Sequence, residues 1–414
     1  MSHQVSRELG RREFIGLVSA LIATTALSID LVLPAFSDIR TAFDVSAESN
    51  SVTWVITVFF MGLALGQPLY GPLTDRFGRR PTLYLGLTLH SVAAVATALS
   101  PSLGFMLVAR FLWGLGAAGV RVTATAMVRD RYEGPEMARA MSFIMSVFLL
   151  APVLAPTVGA AILDIGSWRW TFASGAVVAV AVGLWALRMP ETLDSADRGE
   201  LRFGSMARAA KTVFSTRQTL GYTLAQTFAM GGFLSFLASS EVIFSELYDQ
   251  EDRFPQLFGI IAATMALGTL SNARLAARID LTRLVRRVLM LYVMFSLVMV
   301  VTVIANDGLP PLWLFIMTLM LLVGTQAILI PNFAALAMAP MGQVAGTASA
   351  ITGTIFMGGG AILGSVLDRV ITDTVTPLAV GFMVYGIISL LIVLGTQRVV
   401  AQMNSGSDFL AELP

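Results

Sequence analysis

Apolar runs of about twenty residues recur along this chain, and at 1.5 Å per residue a helix of that length crosses a hydrocarbon core of about 30 Å. Twelve runs are readable, near 13–36, 51–73, 82–100, 103–127, 139–163, 169–189, 218–245, 255–277, 285–305, 311–336, 344–367 and 374–397. Lipid offers no partner to backbone N–H and C=O groups, so each run must be a helix or a strand of a closed barrel. The absence of period-two alternation excludes the barrel. Charged residues are 13% of the 414 and hydrophobic ones 56%, whereas a soluble domain carries about 25% charge. The expected fold class is an all-α integral membrane protein.

Lys and Arg accumulate on the cytoplasmic side of membrane proteins. With the N-terminus inside, 21 of the 27 basic residues fall in cytoplasmic segments. Arg40, Arg169, Arg253 and Arg369 fall outside, and Arg110 and Arg121 lie within a span. That asymmetry predicts twelve transmembrane helices with both termini cytoplasmic, and the net charge of +1 gives no reason to expect a nucleic-acid partner. Arg7, Arg11 and Arg12 precede an apolar run too long for a signal peptide, so it reads as a retained first span. No cysteine is present, which excludes disulfides and thiolate metal sites, and His3 and His90 are the only histidines. With no nucleophile, metal or phosphate constellation, neither an enzyme nor a cofactor is expected.

The longest polar interruption, Glu191–Arg217, divides the chain into a six-helix bundle at 1–190, a cytoplasmic linker at 191–217, a second bundle at 218–400 and a cytoplasmic tail at 401–414. In the linker, Arg202, Arg208, Lys211 and Arg217 are spaced for a short amphipathic helix on the membrane surface, with a solvated linker as the other reading. A shift of 204 residues superposes Met137 on Met341, Ala155 on Gly359, Ala160 on Gly364 and Asp164 on Asp368. Both segments are rich in small residues and are expected to end at the outer surface on an Asp. Two pseudo-symmetric bundles related by an axis along the membrane normal are one transporter plan, with the substrate site at mid-membrane between the halves.

The most specific stretch is YGPLTDRFGRRPT between the second and third runs. It resembles the loop 2–3 signature of the major facilitator superfamily, Gly-x-x-x-Asp-Arg-x-Gly-Arg-Arg, at Gly71, Asp75, Arg76, Gly78, Arg79 and Arg80. Gly71 is expected to let the end of helix 2 approach a neighbour closely, and Gly78 to supply a tight turn. The resemblance implies that Asp75 sits near the start of helix 11 and that the arginines tie the two bundles together, forming a conformational latch. A positive-inside topology signal alone would explain the arginines but neither the glycines nor Asp75. GLGAAG at Gly114–Gly119 matches a dinucleotide fingerprint, but it lies inside a lipid-length helix with no preceding strand. RFLWGLGAAG instead resembles the superfamily's helix 4 motif, whose Arg, here Arg110, is associated with proton coupling. Its glycines would make a small-residue packing face. APVLAPTVGA resembles the antiporter signature at Pro156 and Gly159, with Pro152 as a second proline, while Ala151, Ala155 and Ala160 replace glycines. The other reading is a plain Pro-kinked packing helix.

Ionisable groups in a membrane cost about 2.5–3.5 kcal/mol each on insertion scales, so each needs a reason. Asp30 and Arg110 both lie about 10 Å in from the outer surface, where they would pair or act in sequence. A carboxyl alternating between an apolar setting and one beside a cation takes up and releases a proton. SIDLVLP also resembles helix 1 of exporters related to bicyclomycin and chloramphenicol resistance proteins, in which an acidic residue occupies the place of Asp30. Arg121, about 20° around the helix from Arg110, is expected to face the same cavity or bundle core. Tyr222, Gln226 and Glu241 of helix 7 complete the cavity candidates with Asn332, which flanks Pro331 with Gln326 at an expected break in helix 10. Glu241 reads equally as a hydrated residue at the outer surface, and His90 as a packed one.

Together these motifs imply a drug:proton antiporter of the bacterial inner membrane, a monomer whose partners are a small-molecule substrate, protons and membrane lipid. A proton-coupled carrier of a small metabolite in either direction, and a membrane receptor that does not transport, remain alternatives.

Overall fold

A computed structural model describes residues 9–46, 50–194 and 203–411. Arg7, His3, the linker arginines 198 and 202, and the last three residues of the expected tail lie outside these. Fourteen α-helices are present among the described residues: α1 (Arg11–Asp30), α2 (Phe36–Ala42), α3 (Trp54–Phe77), α4 (Arg79–Ala98), α5 (Leu103–Arg131), α6 (Gly134–Ile165), α7 (Trp168–Ala186), α8 (Phe203–Ser215), α9 (Arg217–Val242), α10 (Phe254–Ala276), α11 (Leu281–Ile304), α12 (Leu312–Met338), α13 (Ala345–Asp368) and α14 (Thr376–Ala411).

Among the described residues, eleven segments are long and apolar enough to cross a membrane. The expected third span, α4, is a 20-residue helix but is not among them, because Arg79, Arg80, His90 and several Thr and Ser lower its hydropathy. α14 continues as helix through 401–411, where a tail was expected. The break expected at Pro331 is also missing: α12 runs without interruption across it.

The chain forms two compact units, Met1–Arg202 with Ser240–Ile260, and Phe203–Ser239 with Ile261–Pro414. In the first, α3, α4 and α5 pack closely, and α1 packs on α5, α6 and α7. Glycines set the approach: a Cβ on Gly114 of α5 would collide with the Phe59 carbonyl of α3, and one on Gly62 with the Phe111 carbonyl. Without a hydrophobic force between helices in lipid, such backbone contact is what holds them. Around Phe14, Leu17, Leu21, Leu83, Val120 and Ile144 an apolar core closes α1, α4, α5 and α6. Gly71 does not take the expected part, since nothing lies within 4 Å of a Cβ built there; the close contacts of α3 lie a few turns earlier, on the face carrying Gly62 and Gly66.

In the second unit α11 packs on α12 and α14, and α8 on α13. The described part of the linker is thus helical from Phe203, with Ala209 and Val213 buried and Val213 packed with Met341 and Ala348.

Candidate functional site

Gly78 ends α3 and opens α4 with φ 98° and ψ 163°, a conformation that glycine adopts without strain. The turn aims Arg79 back into the first unit, where its side chain is 8% exposed. Arg79 Nε donates to Asp130 Oδ2 at 2.8 Å and Nη2 to Asp130 Oδ1 at 3.1 Å, a bidentate pair, while Nη1 donates to Asp75 Oδ1 at 2.5 Å. Glu191 accepts the backbone N–H groups of Arg79 (2.8 Å) and Arg80 (3.1 Å). Its carboxylate thereby satisfies donors left open at the α4 N-terminus, where the helix dipole favours negative charge. Arg80 Nη2 donates to the Leu187 carbonyl at 3.2 Å, and Arg76 lies over Phe77, 5.6 Å from the ring centroid. Asp130 and Glu191 were missed in the sequence; their only signal is an acidic residue where a span meets an arginine-rich end. The ranking of the acids follows from burial: Asp75 is 64% exposed and Asp130 16%. Asp130→Asn is expected to lower stability by about 2 kcal/mol, since charge-assisted bonds are lost at a buried Arg. Asp75→Asn should cost under about 1 kcal/mol, and thermal unfolding of the purified variants checks the order.

Deeper in the same unit Arg110 is fully buried. It donates from Nε to the Val55 carbonyl at 3.1 Å and from Nη1 to the Ser28 carbonyl at 2.9 Å. Its guanidinium lies over Phe59 (4.7 Å), Trp113 (4.9 Å) and Phe172 (5.7 Å). Desolvated cation–π contacts of this kind are worth about 2 kcal/mol. His90, also fully buried, meets Trp113 edge-on at 5.5 Å and Ser28 Oγ at 3.3 Å, so it is the packed residue expected.

Asp30 is the last residue of α1, and the apolar span continues past it through a short 3₁₀ segment, Leu33–Ala35, with Pro34 inside it, to Ala42. Asp30 is 3% exposed and makes no ion pair among the described residues. The Asp30–Arg110 pairing therefore does not form; the Arg donates to a carbonyl two residues earlier. α6, with Pro152 and Pro156 inside it, brings Gly159 so close that a Cβ would collide with the Leu31 carbonyl. The signature read in α6 thus lies against the backbone next to Asp30. Arg121 does not share the surroundings of Arg110: it is partly exposed and lies 5.9 Å from the Phe148 ring centroid. Glu241 is 1% exposed, so the hydrated reading fails for it.

In the second unit Tyr222 and Gln226 are buried, Tyr222 against Phe333 at 6.4 Å. Asn332 Nδ2 donates to Asn272 Oδ1 at 2.6 Å and to the Ile328 carbonyl at 2.7 Å. Gln226 Nε2 and both polar atoms of buried Gln326 have no hydrogen-bond partner. Asp368, expected at the surface, is 1% exposed because Ser235 and Ser239 of α9 donate to its Oδ1 at 2.6 and 2.9 Å. Serines four apart on one helix face were the signal that sequence reading passed over.

The Major Facilitator Superfamily profile matches residues 18–365. The chain belongs to the major facilitator superfamily. This superfamily member is 28% identical over 367 residues to a bicyclomycin resistance protein homolog of Haemophilus influenzae, covering 88% of this chain and 91% of that one. It is 30% identical over 297 residues to the multidrug transporter MdfA of Yersinia pestis, 69% of this chain and 70% of that one. To the chloramphenicol resistance protein CraA of Acinetobacter baumannii it is 29% identical over 58% of both chains. The relatives put it in the drug-efflux branch, among transporters and not enzymes. Its fold matches the E. coli xylose transporter XylE with TM-score 0.74 at 13% identity, over 94% of this chain and 97% of that one. The human organic anion transporter MFSD10 matches with TM-score 0.66 at 20% identity, over 94% and 100%.

Proposed function

We propose that this transporter exports small, largely hydrophobic drug-like molecules in exchange for protons, by alternating access across a bacterial inner membrane, as a monomer. In this reading α4 is a twelfth span and both termini are cytoplasmic, supported by the basic-residue asymmetry and by the packing of α4 along α5 and α7. The observation that carries the proposal is Asp30, a buried carboxyl without an ion pair, placed beside the α6 segment that resembles the antiporter signature. Such a group persists in an apolar setting when its proton can come and go. Arg110 shapes the end of α1 through the Ser28 carbonyl, Arg121 faces substrate, and Asp75 with Arg76, Arg79 and Arg80 holds one state of the carrier. A substrate shifts that equilibrium only through unequal affinity for the two states.

Purified protein in liposomes with an internal pH dye tests this. Chloramphenicol-like or lipophilic cationic compounds are expected to drive proton movement against an imposed gradient, and silence with every compound would overturn the drug reading. Asp75→Asn should fold and turn over more slowly. A second reading, a carrier of a polar metabolite, draws support from the unpartnered amides of Gln226 and Gln326. Counterflow of sugars, amino acids or nucleosides where drugs give none would favour it.

A further inference from the structure

A run of unpaired positive charge marks the turn from α10 to α11 in the second unit. Arg274, Arg278, Arg283, Arg286 and Arg287 fall within it, and all are exposed. The backbone of the turn is pinned, since the N–H groups of Arg278 and Ile279 both donate to the Leu275 carbonyl, at 3.0 and 2.9 Å. Gln397 of α14 donates from Nε2 to the Thr282 carbonyl at 3.0 Å and holds the start of α11. The acid in this stretch, Asp280, is engaged by α11 itself, where it accepts the Arg283 backbone N–H at 3.0 Å. In the first unit, by contrast, arginines at helix ends have acidic partners: Arg11 with Glu136, Arg79 with Asp130 and Arg188 with Glu13. No arginine side chain at the α10–α11 turn makes a hydrogen bond or ion pair among the described residues.

The register of these arginines is a second, independent observation. Arg283, Arg286 and Arg287 share one face of α11 with Met290, Met294, Leu297 and Val301, at steps of three and four residues. Those apolar side chains are 46% to 58% exposed, while Leu284, Val288, Tyr292 and Val303 bury the opposite face against α12 and α14. On a helix long and apolar enough to cross a membrane, the open stripe meets acyl chains and the guanidiniums at its end meet headgroups. From Arg287 to Leu297 the stripe rises about 15 Å, the depth of one leaflet. A topology signal accounts for arginines on this side of the membrane, but not for their alignment with the open stripe or their lack of partners. We propose that this face of α11 binds an anionic phospholipid, its phosphate held by Arg283, Arg286 and Arg287 and its acyl chains laid along Met290, Met294 and Leu297. The planar guanidinium fork donates two bonds to a phosphate, and Arg274 and Arg278 across the turn strengthen the attraction. A zwitterionic lipid brings a cation that the same side chains repel. The inference rests on α11 crossing the membrane and stands whatever the transporter carries.

Native mass spectrometry of the full chain, delipidated and then incubated with dioleoylphosphatidylglycerol or dioleoylphosphatidylcholine, tests it. The wild type is expected to bind phosphatidylglycerol about tenfold or more tightly than phosphatidylcholine. Arg283→Gln/Arg286→Gln/Arg287→Gln should bring the two lipids to within about twofold of each other. The control Arg208→Gln/Lys211→Gln/Arg217→Gln removes the same charge from exposed positions on α8 and at the start of α9, and should keep the wild-type preference. No preference in the wild type, a preference that survives the α11 substitutions, or an equal loss in both variants would overturn the proposal, the last by reducing it to net charge. If the α11 variant does not fold, Arg286→Gln alone takes its place, with an expected loss of about fivefold in the preference; no change there overturns the proposal equally.

Discussion

Asp30→Asn is expected to reduce substrate-driven proton movement to the level of empty liposomes while substrate binding persists. The carboxamide matches the carboxyl in size, so the turn after α1 and the contact of Gly159 with Leu31 are kept. What it lacks is a proton that comes off, and no ion pair is broken by the change. Because Arg110 donates to the Ser28 and Val55 carbonyls, its position does not depend on the Asp30 charge, and the variant should unfold within a few degrees of wild type. The pH dye in liposomes and calorimetric binding of the same compound, side by side, make the check. Proton movement that survives would send the search for the coupling group to Glu241 or Asp368, each 1% exposed, the other buried carboxyls among the described residues.

Gly114→Ala is expected to destabilise the first unit by about 3 kcal/mol or more, at the upper end of overpacking costs. The added methyl meets the Phe59 carbonyl and comes within 2.9 Å of the Leu63 nitrogen, both backbone atoms, so no side-chain rotation relieves it. α3 and α5 must separate, and the rings of Phe59 and Trp113, 6.4 Å apart, lose their hold on Arg110. Gly71→Ala is the matched control. It adds a methyl to open space in a helix, where alanine is favoured over glycine by about 1 kcal/mol, and should leave stability unchanged or raise it. Yield and melting temperature of the two variants in detergent read the contrast; equal behaviour would refute the packing account.

The helices were legible because their signal is local. The length of an apolar run and the polar residues that end it lie in consecutive positions, and the boundaries of α5, α7, α10 and α13 fall within a few residues of those expected. α4 was readable as an element but not by hydropathy alone, since its polar residues turn into the unit, where Arg79 meets Asp130 and His90 packs against Trp113. Asp30 and Arg110 stood out as charges in apolar text, yet their relation did not, because an arginine finds carbonyl acceptors and aromatic faces as readily as a carboxylate.

The sequence by itself determined that the chain is a bundle of lipid-length helices, where the turn at Gly78 falls, and which charges are too costly to be accidental, because these follow from composition and spacing along one helix. Only the tertiary structure decided which partner each charge takes. Asp130 and Glu191 reach Arg79 from 51 and 112 residues away, and Ser235 and Ser239 reach Asp368 from another helix. Pairing in a low-dielectric interior is set by which helix faces meet, and that is a property of packing rather than of any one stretch of chain.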